Sequence, residues 1–168
     1  MKEAVIALGS NLFDREKNLK TAINSLNKLP ETSLIQISSI YETKPFQVPD
    51  AQNNYLNCCV KINTNLSPEM LMGACLGIES AMGRKRPYKN ASRIIDLDLL
   101  LYQDVTVCNK FLTLPHPKIK ERAFVMIPLT DLYKDQTALN FDFSQDLISI
   151  TDTTDVEFWK SLNICDFI

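Results

Sequence analysis

The most constraining feature of the chain is a short aliphatic run with two acids inside it, Ile94-Ile95-Asp96-Leu97-Asp98-Leu99-Leu100-Leu101. Successive side chains of a strand point to opposite faces. Read as a strand, the run puts Ile95, Leu97, Leu99 and Leu101 on one apolar face that helices must cover. Asp96 and Asp98 then share the other face, two strand rises or roughly 7 Å apart. Two carboxylates that close on a half-apolar surface repel each other unless a cation lies between them. A hard divalent ion, above all Mg²⁺, suits such a pair. An isolated Asp-x-Asp more often just faces solvent. The segment upstream shifts the balance, because Arg84, Lys85, Arg86, Lys89 and Arg93 put five bases in ten residues with no acid. Bases beside a metal-type carboxylate pair point to a polyphosphate held between them.

The rest of the chain supplies a frame for that strand. Residues 4–8 are continuously apolar and predict a buried strand, broken by Gly9-Ser10-Asn11. A helix follows from Asp14, with Leu19, Ala22, Ile23 and Leu26 on one face and Leu29-Pro30 at its end. Residues 33–43 read as a second strand, and a polar loop with two prolines fills 44–54. Tyr55 to Asn63 alternates: Leu56, Cys58, Val60 and Ile62 face one way, and Tyr55, Asn57, Cys59 and Lys61 the other. Ser67-Pro68-Glu69 opens a helix with an N-cap, a proline at N1 and an acid against the dipole. It runs to Met82 with Leu71, Ala74, Cys75 and Ile78 buried, and Gly83 as its C-terminal stop. The order β-α-β-β-α-β predicts an α+β fold, the ferredoxin-like plait, with an antiparallel sheet, helices on one face and the other face left for ligands. Glu121 to Tyr133 reads as a short helix disturbed by Pro128, and Val156 to Leu162 as a turn or two of helix, both C-terminal additions to the plait.

Length and composition narrow the function. A chain of 168 residues fits a single domain, 1–168, with a sizeable core. A net charge of −2 gives no global support for nucleic-acid binding. No apolar stretch approaches the roughly 18 residues of a membrane span, the start lacks a signal-peptide pattern, and five cysteines without Cys-x-x-Cys spacing suit a reducing cytoplasm. The oligomeric state is left open, a monomer included. Only four glycines occur, and they form neither a Walker A loop nor a dinucleotide fingerprint. Phosphates would therefore be held by side chains and metals. His116, the sole histidine, sits between Pro115 and Pro117 and reads first as a turn residue. Tyr55 and Asn57 are ordinary outward residues of a strand, or an aromatic and an amide suited to a flat heterocycle. Glu79 reads as a solvated acid and Phe124 as core.

Taken together, the residues resemble a known family. Lys89-x-Ala91-Ser92-Arg93-x-x-Asp96-Leu97-Asp98-Leu99-Leu100 is similar to the signature of the 6-hydroxymethyl-7,8-dihydropterin pyrophosphokinases of folate synthesis. The likeness runs from Gly9-Ser10-Asn11 to Leu129 through Tyr41-Glu42-Thr43, Tyr55-Leu56-Asn57, Ile78-Glu79, Gly83-Arg84-x-Arg86, Leu112-Thr113-x-Pro115-His116 and Arg122-x-Phe124. It implies transfer of the terminal pyrophosphoryl group of ATP to the pterin hydroxymethyl oxygen, releasing AMP, with two Mg²⁺ ions on Asp96 and Asp98. It implies a pterin ring between Tyr55 and Phe124, its edge read by Asn57 and by the backbone near Thr43 and Phe46. It implies ATP contacts from Glu79, Arg84, Arg86, Lys110, Thr113, His116 and Arg122, with Arg84 and Arg93 beside the reacting phosphates. The chain has Asn90 where the family often has Trp, Ala91-Ser92 where it has Gly-Pro, Leu76 for a Gln, and Pro117 for an aromatic. Electrostatic stabilisation by metals and guanidiniums, with the alcohol positioned in line, accounts for such chemistry, and no general base stands out.

Two other classes share some of these features. An RNA-binding plait would use Tyr55 on its open face, but Asp96 and Asp98 would repel phosphates there without a metal. A nucleotidyl or glycosyl transferase could use Asp-x-Asp, generally within a larger nucleotide-binding domain. The products separate them: a nucleotidyl transferase releases pyrophosphate, and a pyrophosphokinase releases AMP.

Overall fold

A computed structural model describes residues 1–45, 48, 50–88, 90–151 and 156–167. Phe46, expected at the pterin edge, and Lys89 of the basic loop lie outside the described residues. The elements are β1 (Lys2–Ser10), α1 (Arg15–Asn27), β2 (Thr32–Ile37), β3 (Ile40–Thr43), β4 (Tyr55–Thr64), α2 (Pro68–Ala81) and β5 (Asp96–Tyr102). The C-terminal additions are a small hairpin β6 (Val107–Cys108) and β7 (Thr113–Leu114), α3 (Ala123–Leu132), a second hairpin β8 (Thr137–Ala138) and β9 (Phe141–Asp142), α4 (Ser144–Thr151) and β10 (Val156–Lys160). The main sheet runs β10-β3-β4-β1-β5, with β2 pairing β4 beside β3. Every pair in it is antiparallel. The β5-β1-β4-β2/β3 order is that of the expected plait.

Local chemistry explains the boundaries. Asp14 caps α1 by accepting the Lys17 N–H at 3.0 Å, and Ser67 caps α2 by accepting the Met70 N–H at 3.3 Å. Gly83 follows α2 with φ of 86°, the left-handed conformation that ends helices and suits glycine. The expected strand over 33–43 is two strands. Ser38 Oγ takes the Cys59 N–H at 2.8 Å and the Ser39 N–H goes to Asp131 at 2.9 Å. These side-chain bonds replace ladder bonds at the break between β2 and β3. The helical turn expected at Val156–Leu162 is instead β10, which pairs β3. Its β-branched and aromatic residues favour a strand once an edge is offered, and Phe158 meets Tyr41 edge-to-face at 6.2 Å.

The two faces of the sheet carry different covers. Ala4, Ile6, Leu8, Cys58, Val60, Ile62, Leu97 and Leu99 pack with Leu19, Ala22, Ile23 and Leu26 of α1 and with Leu71, Cys75 and Ile78 of α2. On the other face Val5, Cys59, Leu100 and Leu101 pack under Val125, Met126, Leu129 and Leu132 of α3. The face expected to stay open is thus covered over part of its length. Leu101 also departs from expectation. A bulge leaves Leu100 unmatched between the Ile6–Leu99 and Val5–Leu101 pairs, so Leu101 turns to the α3 side. No described helix is long and apolar enough to cross a membrane.

Candidate active site

The end of that second face nearest Gly9 holds the site. Gly9 stands opposite Asn57 on one neighbour and Asp96 on the other; Ala7 stands opposite Cys59 and Asp98. Residues directly opposite in a sheet share a face. Asn57, Gly9 and Asp96 therefore form one row, with Asp98 in the next. The middle strand contributes only a glycine and an alanine, which leaves a floor between taller walls. A cavity of about 160 Å³ lies there, lined by Thr43, Tyr55 and Asn57 on one side, by Arg93, Asp96 and Asp98 on the other, and by Arg122 and Phe124 from the start of α3. β1 does not stop at Leu8 as expected but continues through Gly9 to Ser10. A Cβ on Gly9 would come within 2.9 Å of Asn57 Oδ1, so the glycine permits that close approach.

The acids are paired in a chain of charges. Asp96 receives Arg84 and, at 2.7 Å, Arg93. Asp98 receives Arg122 at 2.9 Å. Burial by itself pushes the Asp96 carboxyl up, but the guanidiniums of Arg93 and Arg84 outweigh it and hold the group below its ordinary value. Glu79 is no solvated acid. It is 1 % exposed, accepts the Leu97 N–H at 2.8 Å, and pairs with Arg84 and, at 2.5 Å, with Arg86. Burial raises its carboxyl above the ordinary value despite these partners. Three of the clustered bases, Arg84, Arg86 and Arg93, are thus already matched by the carboxylates of Glu79 and Asp96. Arg84 Nε is the one buried side-chain polar atom without a hydrogen bond among the described residues.

On the opposite wall Asn57 is buried and donates to Thr43 Oγ1 at 2.8 Å. Phe124 is half-buried, packing against the core beneath α3 while also lining the cavity, and the Arg122 guanidinium lies 5.6 Å from its ring centre. The site is a cleft with the rings of Tyr55 and Phe124 and the Asn57 amide in its lining, continuous with a carboxylate–guanidinium array.

The family model of 7,8-dihydro-6-hydroxymethylpterin-pyrophosphokinase matches residues 5–134. The chain belongs to this family. It is 37% identical to the 2-amino-4-hydroxy-6-hydroxymethyldihydropteridine pyrophosphokinase of Haemophilus influenzae, over 88% of this chain and 92% of that one. The enzyme of the same name from Methylorubrum extorquens is 38% identical, over 80% of this chain and 85% of that one. The folic acid synthesis protein fol1 of Schizosaccharomyces pombe is 39% identical over 80% of this chain, which spans only 18% of that longer protein. Among solved structures, Plasmodium falciparum HPPK-DHPS shares the fold with a TM-score of 0.68 at 16% identity, over 90% of this chain and 44% of that one. Pyrophosphoryl transfer from ATP to hydroxymethyldihydropterin, in folate synthesis, is the activity that goes with this membership.

Within this pyrophosphokinase, the cavity gathers Thr43, Tyr55, Asn57, Arg93, Asp96, Asp98, Arg122 and Phe124. Glu79, Arg84 and Arg86 join it through Asp96 and the Leu97 N–H. Three further expected residues lie outside the cavity lining. Lys110 is exposed with its ammonium 4.6 Å from the Phe111 ring centre, and Thr113 is half-buried on β7. His116 is half-buried, its N–H bonded to the Leu100 carbonyl at 2.8 Å, and its Nδ1 accepts the Lys118 N–H at 3.2 Å. Burial lowers the pKa of its imidazole. Sequence reasoning missed Gly9 as floor and Lys118 and Glu121 at the cavity wall. A glycine inside an apolar strand was the available signal for the first; nothing in the sequence marked the other two.

Proposed function

We propose that residues 1–168 act as one pyrophosphokinase domain whose cavity seats the pterin and whose arginine–aspartate array seats ATP with two Mg²⁺ ions. The observation that carries this is the shared cavity: Tyr55, Asn57 and Phe124 line it together with Asp96 and Asp98. A flat, uncharged heterocycle needs stacking and hydrogen bonds made away from water. The rings of Tyr55 and Phe124 supply the first. Asn57 Oδ1, with the amide fixed through Thr43, supplies the second.

Asp96 and Asp98 fit Mg²⁺ by donor chemistry. Both are hard oxygen donors on one face, and no group of three metal-ligating acids, histidines or cysteines occurs among the described residues. Phosphate oxygens and water would supply the remaining ligands, as is usual for this ion. Bound there, Mg²⁺ would neutralise charge on the phosphoryl oxygens. The arginines then have a second set of anions to meet: Arg84, Arg93 and Arg122, paired with the aspartates here, would turn to the triphosphate. Glu79 holds Arg84 and Arg86 from beneath, and its part in ATP binding runs through them. Lys110, Thr113 and His116 would meet the nucleoside end beyond the cavity. The hydroxymethyl oxygen bonds to the β-phosphorus and releases its proton to water, the bond from that phosphorus to the α–β bridging oxygen breaks, and AMP leaves with that oxygen and the electron pair. The guanidiniums stabilise the charge that builds on those oxygens. A reducing cytoplasm is the proposed compartment, consistent with five unpaired thiols.

Product analysis tests the reading. With ATP, hydroxymethyldihydropterin and Mg²⁺, the chain should release AMP in step with pterin consumption, and a chelator should stop it. Release of inorganic pyrophosphate, or undiminished turnover with chelator, would refute the assignment.

A further inference from the structure

Asn11 follows directly on β1 and is fully buried, so its polar atoms require partners. Its Oδ1 accepts the Arg93 N–H at 2.7 Å, and its own N–H donates to the Arg93 carbonyl at 3.2 Å. Residue 93 is thereby held at both of its backbone polar groups by one asparagine. Asn11 Nδ2 donates to Gln52 Oε1 at 3.0 Å, with longer contacts of 3.4 Å to the Asn53 carbonyl and to Ser92 Oγ. Gln52 in turn donates to the Asn90 carbonyl at 2.9 Å. A single buried amide therefore ties the end of β1 to the loop before β4 and to the loop before β5. From this clamped backbone the Arg93 side chain reaches Asp96 at 2.7 Å, with its Nε bonded to the Ala91 carbonyl at 3.1 Å. A long, flexible guanidinium is aimed only as well as the Cα that carries it, and displacements of about 1 Å cost on the order of 100-fold in rate.

We infer that Asn11 is a positioning residue for pyrophosphoryl transfer, acting through Arg93. It sets the backbone from which that guanidinium is presented to the phosphates, and it does so from outside the cavity lining. The inference rests on the reading that Arg93 acts on the phosphates. Asn11 touches neither substrate in this role, so it should govern turnover more than ground-state binding.

A double-mutant cycle in the full chain tests it, with kcat, both KM values and melting curves for Asn11→Ala, Arg93→Ala and the double variant. Asn11→Ala should lower kcat about 10-fold or more, with the KM for ATP changed by less than about threefold. Residues acting as one unit are non-additive, so the double variant should match Arg93→Ala within about twofold. A purely architectural asparagine would instead give additive losses, and additivity would overturn the inference. So would parent-like kcat in Asn11→Ala beside a large loss in Arg93→Ala. Parent-like kcat in Arg93→Ala would overturn the role of Arg93 itself, and this one with it. If Asn11→Ala does not melt cooperatively, Asn11→Asp decides. It keeps the acceptor for the Arg93 N–H and should retain kcat within about threefold; a folded Asn11→Asp as slow as Arg93→Ala would overturn the inference.

Discussion

Replacing Glu79 by alanine strikes the point where fold and site are joined. The side chain is 1 % exposed and serves three donors: the Leu97 N–H, Arg84 and Arg86. Leu97 lies between the two aspartates on β5, so its N–H is fixed in the strand and cannot turn to water. Orphaning a buried N–H costs about 1–3 kcal/mol. The Arg84 side chain is 8 % exposed, and removing one partner from a buried ion pair costs about 3–5 kcal/mol. Asp96 remains beside Arg84, so the loss falls at the lower end. The Arg86 contact, 56 % exposed, adds less than about 1 kcal/mol. The effects overlap, and the expected destabilisation is about 4 kcal/mol, a large part of the 5–15 kcal/mol typical of a domain. Urea unfolding reads it as a fall in midpoint at unchanged slope. Glu79→Gln keeps an oxygen for the Leu97 N–H and should recover about 1–3 kcal/mol of the loss. Stability of Glu79→Ala within about 1 kcal/mol of the parent would show that water or a rearranged Arg84 replaces the carboxylate, and the reasoning would fail.

The two aspartates should separate. Asp98→Ala releases one half-exposed arginine and should keep parent-like stability while turnover falls by at least about 100-fold; Asp96→Ala removes the carboxylate from Arg93 and one of the two carboxylates from Arg84 and should lower the melting temperature as well, and equal melting curves for the two would contradict the pairing seen here. Asn57→Ala should raise the pterin Kd by about 10- to 100-fold, from an unpaired ring edge costing about 1–3 kcal/mol, with the Kd of an ATP analogue unchanged in titration calorimetry. Gly9→Ala should act on the same wall, because its methyl would lie 2.9 Å from Asn57 Oδ1 and must displace it; parent-like pterin affinity would show the amide free to move. His116, whose folded pKa lies below its ordinary value, takes up a proton less readily folded than unfolded. Its contribution to stability is present above about pH 6.5 and lost as the pH falls through that value toward the folded pKa. Chemical denaturation between pH 7 and 5 should therefore show a shallower loss for His116→Asn than for the parent.

Much of the architecture was readable residue by residue. Ser67-Pro68 and Gly83 bracket α2 because capping and left-handed backbone are local properties, decided within a turn of chain. The alternation of Tyr55 to Asn63 and of Asp96-Leu97-Asp98 is equally local, and the structure puts Asn57 and Asp96 on one face. The errors fall where a residue's partner is distant in sequence. β10 read as a helical turn because its state depends on an edge of β3 being available. The 33–43 strand read as continuous because the bonds that split it come from Cys59 and Asp131.

Glu79 shows the division most clearly. A helix position next to an apolar stripe looks the same in sequence whether its carboxylate meets water or a strand N–H 18 residues away. Periodicity reports which face a residue occupies; it carries no information on what that face meets. The sequence by itself therefore determined the order of the plait from β1 to β5, apart from the break between β2 and β3, the shared face of the two aspartates and the family to which the chain belongs. The tertiary structure alone decided which arginine neutralises which acid, that Gly9 is the cavity floor, and that α3 closes part of the ligand face. Pairings of that kind arise from the superposition of separate chain segments, and no single segment records them.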